Sequence, residues 1–336
     1  MKRAGIFLIA LWQLGQVSGL EAQEMATGAG AFARLGASAR AIALGRAYTA
    51  LAGDDAMGMF WNPAGMVLGK PVRLAVTDRF FGDGELGMDG VASFVSVGTS
   101  MHVSGNMAVG AGAMYFGVAG IEKYSDSAVY QGDFSNDELL ALLSVARLEG
   151  PLTAGVNLRF IRQAFSGDFA SSASGIGFDL GMIARFWRPV RLGLMVRSRA
   201  DMGNDLVPIS ASVGAAYERQ LAPPGIAPRL VLALDLEQIE DRPARLHLGL
   251  GLERLINLRG VAFSLRMGRN NQFLEQRLSA LLTPAFGEEL AGEDFSGPNG
   301  QWGFGIGIEQ SAFALDYTFT RGMLHDPHYL SLSYSH

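Results

Sequence analysis

The feature that most constrains this chain is a strict alternation of apolar and polar residues over long segments. Residues 230–236 place leucine at every second position, with Val, Ala and Asp between the leucines. The same period of two recurs in 176–186, 245–253 and 313–320. A period of two gives a strand with two different faces, whereas an amphipathic helix needs a period near 3.6. From residue 72 onward, the sequence therefore predicts amphipathic β-strands.

The length and composition of these strands favour a membrane barrel over a soluble sheet. Many of the alternating segments reach nine residues or more, whereas strands of soluble proteins usually span about five or six. Ten residues at about 3.3 Å each, tilted by about 40°, cover about 25 Å, which is the height of an outer-membrane apolar band. The polar faces are rich in Gly, Ser and Arg, which suits a barrel lumen. Because a soluble β-sandwich also alternates, a soluble periplasmic β-protein remains an open alternative.

The connections between the strands alternate in length. Connections after even-numbered strands are mostly tight turns and those after odd-numbered strands are longer loops, which is the pattern of an up-and-down barrel in the bacterial outer membrane. The sequence therefore predicts an all-β fold, a transmembrane antiparallel up-and-down β-barrel of about 14 strands over residues 72–336. The predicted strands are 72–80, 89–99, 104–118, 136–148, 152–164, 174–187, 190–199, 208–220, 228–238, 245–256, 259–268, 300–309, 311–320 and 328–336.

The N-terminus has the order of a secretory signal. Lys2 and Arg3 precede the apolar run AGIFLIALW, which is followed by the small and polar residues QVSGLEAQ. We predict a signal peptide over residues 1–22, cleaved after Ala22, with Gly19 as the second choice. The chain contains no cysteine, which excludes a disulfide scaffold, a thiolate metal site and a cysteine nucleophile, and suits an oxidising compartment.

Composition and short motifs argue against several other functions. The formal net charge is −5 and no basic cluster with interleaved aromatic residues occurs, so we expect no nucleic-acid partner. The glycines of GAGAM (110–114) and GFGIGIE (303–309) fit alternating strands better than phosphate loops, because no helix follows them. His325, Asp326 and His328 have no evident fourth metal ligand. We therefore predict no catalytic residue, no cofactor and no metal site, and a protein that is not an enzyme.

The segment between the signal and the first strand, residues 23–71, is of a different kind. Residues 29–53 are rich in alanine and do not alternate, and Ile42, Tyr48 and Leu51 have spacings that can share a helix face. A short apolar stretch and the turn sequence Asn-Pro-Ala-Gly then follow, in which Gly65 is expected to supply a positive φ. A barrel of this size has a lumen to fill, so we predict that residues 23–71 form a helical hatch inside it.

The stretch SARAIALGRAYTALAGDDAMGMFWNPAGM resembles the N-terminal signature of the PorV/PorQ family, relatives of the FadL-type channels for hydrophobic compounds. In that signature an Arg-Ala pair, a Gly-x-Ala-x-x-Ala run, an acidic pair and Trp-Asn-Pro-Ala-Gly follow in order. Arg46 stands where the family more often has glycine. Asp54 and Asp55 are expected to cap a helix or to hydrogen-bond within the hatch. The matching residues are Arg40, Gly45, Ala47, Ala50, Asp54, Asp55, Trp61, Asn62, Pro63, Ala64 and Gly65.

The resemblance implies a location and a role. It implies a barrel in the bacterial cell outer membrane, surrounded by outer-membrane lipid and closed by a luminal plug. Family members with known roles act in type IX secretion or in surface delivery, so it implies an accessory role with secreted client proteins as partners. The alternative is a FadL-like passive channel for uptake of a hydrophobic small molecule, with the hatch as its gate.

Overall fold

The fold is known from a computed structural model. It describes residues 30–80, 91–124, 127, 129–167, 170–187, 189–203, 205–221, 228–240, 242–258, 260–273, 301–321 and 327–336. The predicted signal peptide, residues 1–22, lies outside the described residues, as does most of the long connection between the predicted strands 259–268 and 300–309.

Sixteen strands form in the described parts of the chain, and fourteen of them close into one antiparallel barrel. Each barrel strand pairs with the next barrel strand along the chain, and β1 pairs with β16 to close the ring. The predicted 14-stranded up-and-down barrel is therefore confirmed. The strands are β1 (Val72–Phe80), β2 (Val91–Ser104), β3 (Met107–Tyr124), β4 (Tyr130–Glu149), β5 (Leu152–Phe165), β6 (Ser171–Trp187), β7 (Val190–Arg197), β8 (Ala200–Met202), β9 (Asp205–Val207), β10 (Ser210–Gln220), β11 (Arg229–Ile239), β12 (Arg245–Leu258), β13 (Val261–Phe273), β14 (Trp302–Gln310), β15 (Phe313–Arg321) and β16 (His328–Ser335).

The period of two places apolar residues outside the barrel and small or polar residues inside it. On β11, Leu232 and Leu234 are 43% and 45% exposed, whereas Val231 and Asp235 are buried. The same alternation appears on β6, where Phe178 is exposed and its neighbour is a buried aspartate. An apolar outer surface of this extent is suited to lipid rather than to water.

The two ends of the barrel differ. At one end, here called the short-turn end, β1 begins, β16 ends and two-residue turns join neighbouring strands. The opposite end, here called the long-loop end, carries the longer connections, and β3 and β4 are the longest strands at 18 and 20 residues. Within the described residues, the two-residue turns are 105–106, 150–151 and 311–312.

A small hairpin interrupts the barrel order between β7 and β10. Its strands β8 and β9 pair only with each other and fall in a stretch that we predicted to be a loop. Ala200, Met202 and Val207 are buried in the largest apolar cluster of the lumen, so the hairpin folds inward at the long-loop end. Strands of three residues are too short to carry a periodic signal in the sequence.

Residues 30–69, here called the luminal segment, lie inside the barrel. One α-helix, α1 (Ala39–Ala43), and the 3₁₀ helices Ala31–Arg34, Ala56–Phe60 and Pro63–Leu68 form in it. The expected longer helix was wrong, because Gly45 and Arg46 adopt left-handed φ values of 63° and 69° and end the helix. Ile42, Tyr48 and Leu51 therefore do not share a helix face. No helix in the described ranges is long and apolar enough to cross a membrane.

Glycines on the inner face of the wall let this segment approach the strands closely. A Cβ on Gly268 would lie 2.0 Å from the amide nitrogen of Gly45, and one on Gly155 would lie 2.5 Å from that of Ala64. The glycines of GAGAM and GFGIGIE lie in β3 and β14, as expected, and those at 110, 112, 303 and 305 face the segment. The chain contains 44 glycines in 336 residues, and those on the inner face let the backbone of the strands contact the backbone of the luminal segment.

We expect Gly268→Ala to displace the luminal segment while the barrel still closes. The added methyl group would overlap the backbone of Gly45, and overpacking of this kind costs about 1–3 kcal/mol. Trypsin should then cut the folded variant faster within residues 30–69 than the wild type, at unchanged heat-shifted mobility on gels. The control is Gly105→Ala, because a Cβ there meets nothing within 4 Å. Equal protection of Gly268→Ala and wild type would contradict the close packing.

Candidate functional site: the luminal segment and its cavities

Barrel side chains bond the backbone of the luminal segment, because the segment has little regular secondary structure of its own. The Asp235 carboxylate accepts the amide N–H groups of Tyr48 and Thr49 at 2.9 and 2.8 Å. Arg73 donates to the carbonyl oxygen of Met66 at 2.6 Å and to two further carbonyls of the segment. Buried backbone groups without partners would cost as much as lost hydrogen bonds. The remaining wall donors and acceptors of this kind include Asn157, Arg197, Thr318, Tyr329 and Ser331.

Asn62 joins the luminal segment to the wall. Its side chain is fully buried. The Nδ2 group lies 3.0 Å from the Thr49 carbonyl oxygen and 3.1 and 3.2 Å from those of Met182 and Leu194 on β6 and β7. The Oδ1 atom accepts the Ala64 amide N–H at 3.1 Å and so caps the third 3₁₀ helix. One amide side chain thus holds the segment to itself and to two strands.

The other residues of the Asn-Pro-Ala-Gly turn serve the same packing. Pro63 begins the 3₁₀ helix, where a missing N–H costs nothing. Ala64 is fully buried. Gly65 does not have a positive φ, so that expectation was wrong. Glycine is required there because a Cβ would lie 2.4 Å from the carbonyl carbon of Ala52.

Gly45 and Ala47 pack on the opposite wall. A Cβ on Gly45 would lie 2.4 Å from the amide nitrogen of Arg269 and from the carbonyl oxygen of Leu248, which belong to β13 and β12. Ala47 is buried in a cluster with Leu44. The left-handed backbone continues into Arg46, the position at which the PorV/PorQ signature more often has glycine, a residue that adopts this conformation without strain.

Trp61 sits where the apolar clusters of the lumen meet. It packs against all four of them while remaining partly exposed. Its Nε1–H donates to the Ala37 carbonyl oxygen at 2.7 Å. The Tyr48 ring meets it edge-on at 6.1 Å, and the Arg46 guanidinium lies 5.7 Å from its ring centre. Trp61 therefore links successive turns of the segment.

An ion-pair network fixes the luminal segment at the short-turn end. Arg40 lies 2.7 Å from Asp54 within the segment and 2.7 Å from Glu253 on β12. Arg191 and Arg229 approach Asp54 from β7 and β11 at 3.3 and 3.1 Å. Counted over its members, the network has four arginines and four carboxylates, so its formal charge is zero. The members are Arg40, Arg191, Arg229, Arg266, Asp54, Glu218, Glu253 and Asp316.

The two adjacent aspartates lie in different environments. Burial opposes ionisation of Asp54, but Arg229, Arg40 and Arg191 outweigh it and hold its pKa well below the usual range. Burial raises the pKa of Asp55, which accepts hydrogen bonds from Ser38 Oγ at 2.6 Å and from the Tyr48 hydroxyl at 3.1 Å. Neither carboxylate caps a helix. Of the two expected roles, hydrogen bonding within the segment is the one observed for Asp55.

Two cavities flank the luminal segment. Towards the short-turn end, a polar space of about 450 Å³ is lined by the ion-pair network and by Lys70 and Arg73. On the other side, a space of about 90 Å³ reaches Ser210 and Ile239, which lie at the long-loop ends of β10 and β11. We call the second space the outer cavity. Its lining mixes apolar residues with charged ones, namely Phe60, Trp61, Met114, Leu140, Leu142, Val207 and Ile239 with Arg34, Arg46, Arg159, Arg197, Asp179, Asp235, Glu237 and His247.

Comparison with solved structures shows a FadL-like barrel fold. The toluene transporter TbuX of Ralstonia pickettii is 14% identical, with a TM-score of 0.61 over 89% of this chain and 97% of that one. The CymD monoaromatic hydrocarbon channel is 13% identical, with a TM-score of 0.56 over 87% and 96%. A FadL homologue of Pseudomonas aeruginosa is 12% identical, with a TM-score of 0.54 over 87% and 97%. No protein-family model and no curated protein matches the chain.

Sequence reasoning missed the wall residues that hold the segment. Arg73, Asp235 and Glu253 are charged residues at buried, inward positions of β1, β11 and β12. A charge in such a position needs a partner in the lumen, which is the signal that could have indicated them. His328, considered above as a metal ligand, bonds the Tyr317 hydroxyl at 2.6 Å, and His325 and Asp326 lie outside the described residues.

We expect Asp54→Asn to destabilise the folded protein by about 3–5 kcal/mol, because it removes the carboxylate shared by the buried Arg40 and the partly buried Arg191 and Arg229. The measurement is urea unfolding of the wild type and the variant in the same lipid or detergent. Glu309→Gln is the matched control, since it breaks the exposed pair with Arg254 near the same end, which is worth about 1 kcal/mol or less. Equal losses for the two variants would contradict a buried network that holds the segment.

Proposed function

We propose that this protein is a bacterial outer-membrane channel for a hydrophobic small molecule, with the luminal segment as its gate. The observation that carries the proposal is a FadL-like barrel whose lumen is filled by residues 30–69, with a partly apolar cavity on the long-loop side of that filling. The similar structures include a toluene transporter and a monoaromatic hydrocarbon channel. At 14% and 13% identity, the structural similarity supports the fold alone, so the transport role is our proposal.

The contacts of the luminal segment suit a gate. The segment is held by hydrogen bonds, ion pairs and glycine packing, all of which can break and re-form without covalent change. A molecule entering at the long-loop end would first reach Phe60 and Trp61 of the segment, with Met114 and Leu140 of the wall beside them. Passage to the short-turn end then requires the segment to move, because it packs against the wall through Gly155 and Gly268.

The accessory role in type IX-like secretion is the second candidate, and it was our first expectation. It is favoured by the signature from Arg40 to Gly65. In the structure, however, the signature residues Asn62, Gly65 and Gly45 bond or pack within the lumen. A closed channel needs these contacts as much as a secretion accessory does, so the signature does not separate the two roles. The structural neighbours support the channel, and no family or curated match supports the PorV/PorQ family specifically.

Toluene uptake tests the proposed function. Cells that lack other hydrocarbon channels should take up labelled toluene faster when they express this protein than when they carry an empty vector. Trp61→Ala should increase the rate further, because it removes the side chain on which four apolar clusters converge. Phe313→Ala, at an outward position that is 56% exposed, is the control and should behave as the wild type. Uptake no faster than with the empty vector would contradict the channel.

Cysteine labelling tests the orientation in the membrane. The chain has no cysteine, so each introduced thiol is unique. A membrane-impermeant maleimide should label Val129→Cys, at the long-loop end, on intact cells, because long loops of such barrels face outward. Gly105→Cys, in a turn of the short-turn end, should react only after the cells are opened. Labelling of Gly105→Cys on intact cells would reverse the proposed orientation.

A further inference from the structure

We propose that the outer cavity is a binding site for a monoaromatic carboxylate, with the carboxylate held by Arg34 and Arg46 and the ring held against Trp61. The inference rests on the proposed function and narrows its substrate class from hydrophobic molecules in general to those that carry an anionic group. It follows from which charges in the cavity already have partners and which do not.

The carboxylates of the cavity are already engaged. The Asp235 carboxylate holds two backbone N–H groups of the luminal segment through Oδ2. The other two acids face side-chain partners on the wall. These pairs are Asp179 with Arg159 at 3.5 Å and Glu237 with His247 at 3.3 Å. The acids of the lining are therefore committed to holding the structure together.

Two arginines of the luminal segment are not engaged in this way. Within the described parts of the chain, neither Arg34 nor Arg46 forms an ion pair with a carboxylate, and Arg34 Nη1 is buried without a hydrogen-bond partner. Burial and the nearby charges of Arg242 and Arg245 lower the pKa of Arg34 to about 10. Buried guanidinium groups that repel one another are relieved by an anion. The charge of Glu237 acts on both guanidinium groups, but this carboxylate already bonds His247. The cavity thus has a cationic end in which two arginines share one distant carboxylate.

The apolar end of the cavity fits an aromatic ring. Arg46 stacks over Trp61 at 5.7 Å, and a guanidinium stacked in this way keeps its N–H edge free for a carboxylate. Phe60, Met114 and Leu140 line the adjoining surface. An apolar cavity of roughly 150 Å³ holds benzene, so a space of about 90 Å³ has to widen, by a shift of the luminal segment, to accept even a single ring.

A neutral hydrocarbon fits this lining less well than an anion of the same shape. It would remove water from the two guanidinium groups and give them no acceptor in return, and an uncompensated buried charge is costly. A carboxylate accepts from both arginines while its ring replaces water on Trp61. We therefore expect the cavity to discriminate between ligands by charge at constant shape.

The test compares benzoate with benzamide, a neutral isostere, by isothermal titration calorimetry on the full protein in nanodiscs. Benzoate should bind at least about tenfold more tightly than benzamide, since charge-assisted bonds are roughly twice as strong as neutral ones. Arg34→Gln and Arg46→Gln should each lose most of that preference, because they weaken benzoate binding more than benzamide binding. Arg254→Gln is the control, because that guanidinium is 57% exposed and pairs with Glu309 near the short-turn end.

Three outcomes would overturn the inference. Equal affinity for benzoate and benzamide would show that the site does not require an anionic group. Benzoate binding that neither arginine variant changes would show that benzoate binds at another site. Acetate binding as tightly as benzoate would show that the aromatic ring does not contribute to binding. If any of these results is found while cells that express the protein take up toluene faster than cells with the empty vector, the proposed channel is retained and only the carboxylate site is rejected. Benzoate binding without toluene uptake would reject the hydrocarbon channel and keep the site.

Discussion

The structure depends on one constraint, which is that the backbone of a segment with only short helices is buried inside a barrel and must find hydrogen-bond partners there. The wall supplies them with side chains such as Asp235 and Arg73, which bond the segment's N–H and carbonyl groups. The segment itself supplies Asn62, whose amide reaches the carbonyl oxygens of two wall strands. Inward glycines such as Gly268 then allow these groups to come within bonding distance. Much of the unusual composition of the lumen follows from this requirement.

The ion-pair network also fixes the luminal segment to the wall, through charges rather than through backbone hydrogen bonds. Burying a balanced set of charges contributes little net stability, but removing one member leaves an uncompensated charge and is strongly destabilising. The segment contributes Arg40 and Asp54 to the network, and the wall contributes the remaining members, including Glu253. When the segment leaves its place, both sides lose partners together. Such an arrangement favours two discrete states, seated and released, over gradual loosening.

The sequence predicted the barrel better than it predicted the interior. Alternation sets both the face and the length of a strand, so all fourteen barrel strands were placed, although β3 and β4 extend further at the long-loop end than expected. The hairpin of β8 and β9 was missed, because its strands are stabilised by Met202 and Val207 in the lumen rather than by a local pattern. The interior contacts join residues far apart in sequence, as Arg191 and Asp54 do, and no local pattern shows such pairs.

Individual residues of the signature show the same limit. Gly65 was expected to adopt a positive φ, but its requirement is the close approach of Ala52, which a turn motif does not reveal. Arg46 is the reverse case, since its φ of 69° shows that the backbone conformation is what favours glycine at this position. A glycine in the sequence does not by itself show whether the position requires a positive φ or requires space for a neighbouring group.

That the luminal segment closes the barrel is tested most directly by single-channel conductance in planar bilayers. The wild type should be compared with a variant that lacks residues 30–69. The ring of fourteen strands is closed by strand-to-strand pairing in which the segment takes no part, and such a ladder satisfies the backbone within lipid, so the variant should still insert. It should then conduct several-fold more than the wild type. Equal conductance of the two proteins, with both inserted as heat-shifted barrels, would contradict a closing role for the segment.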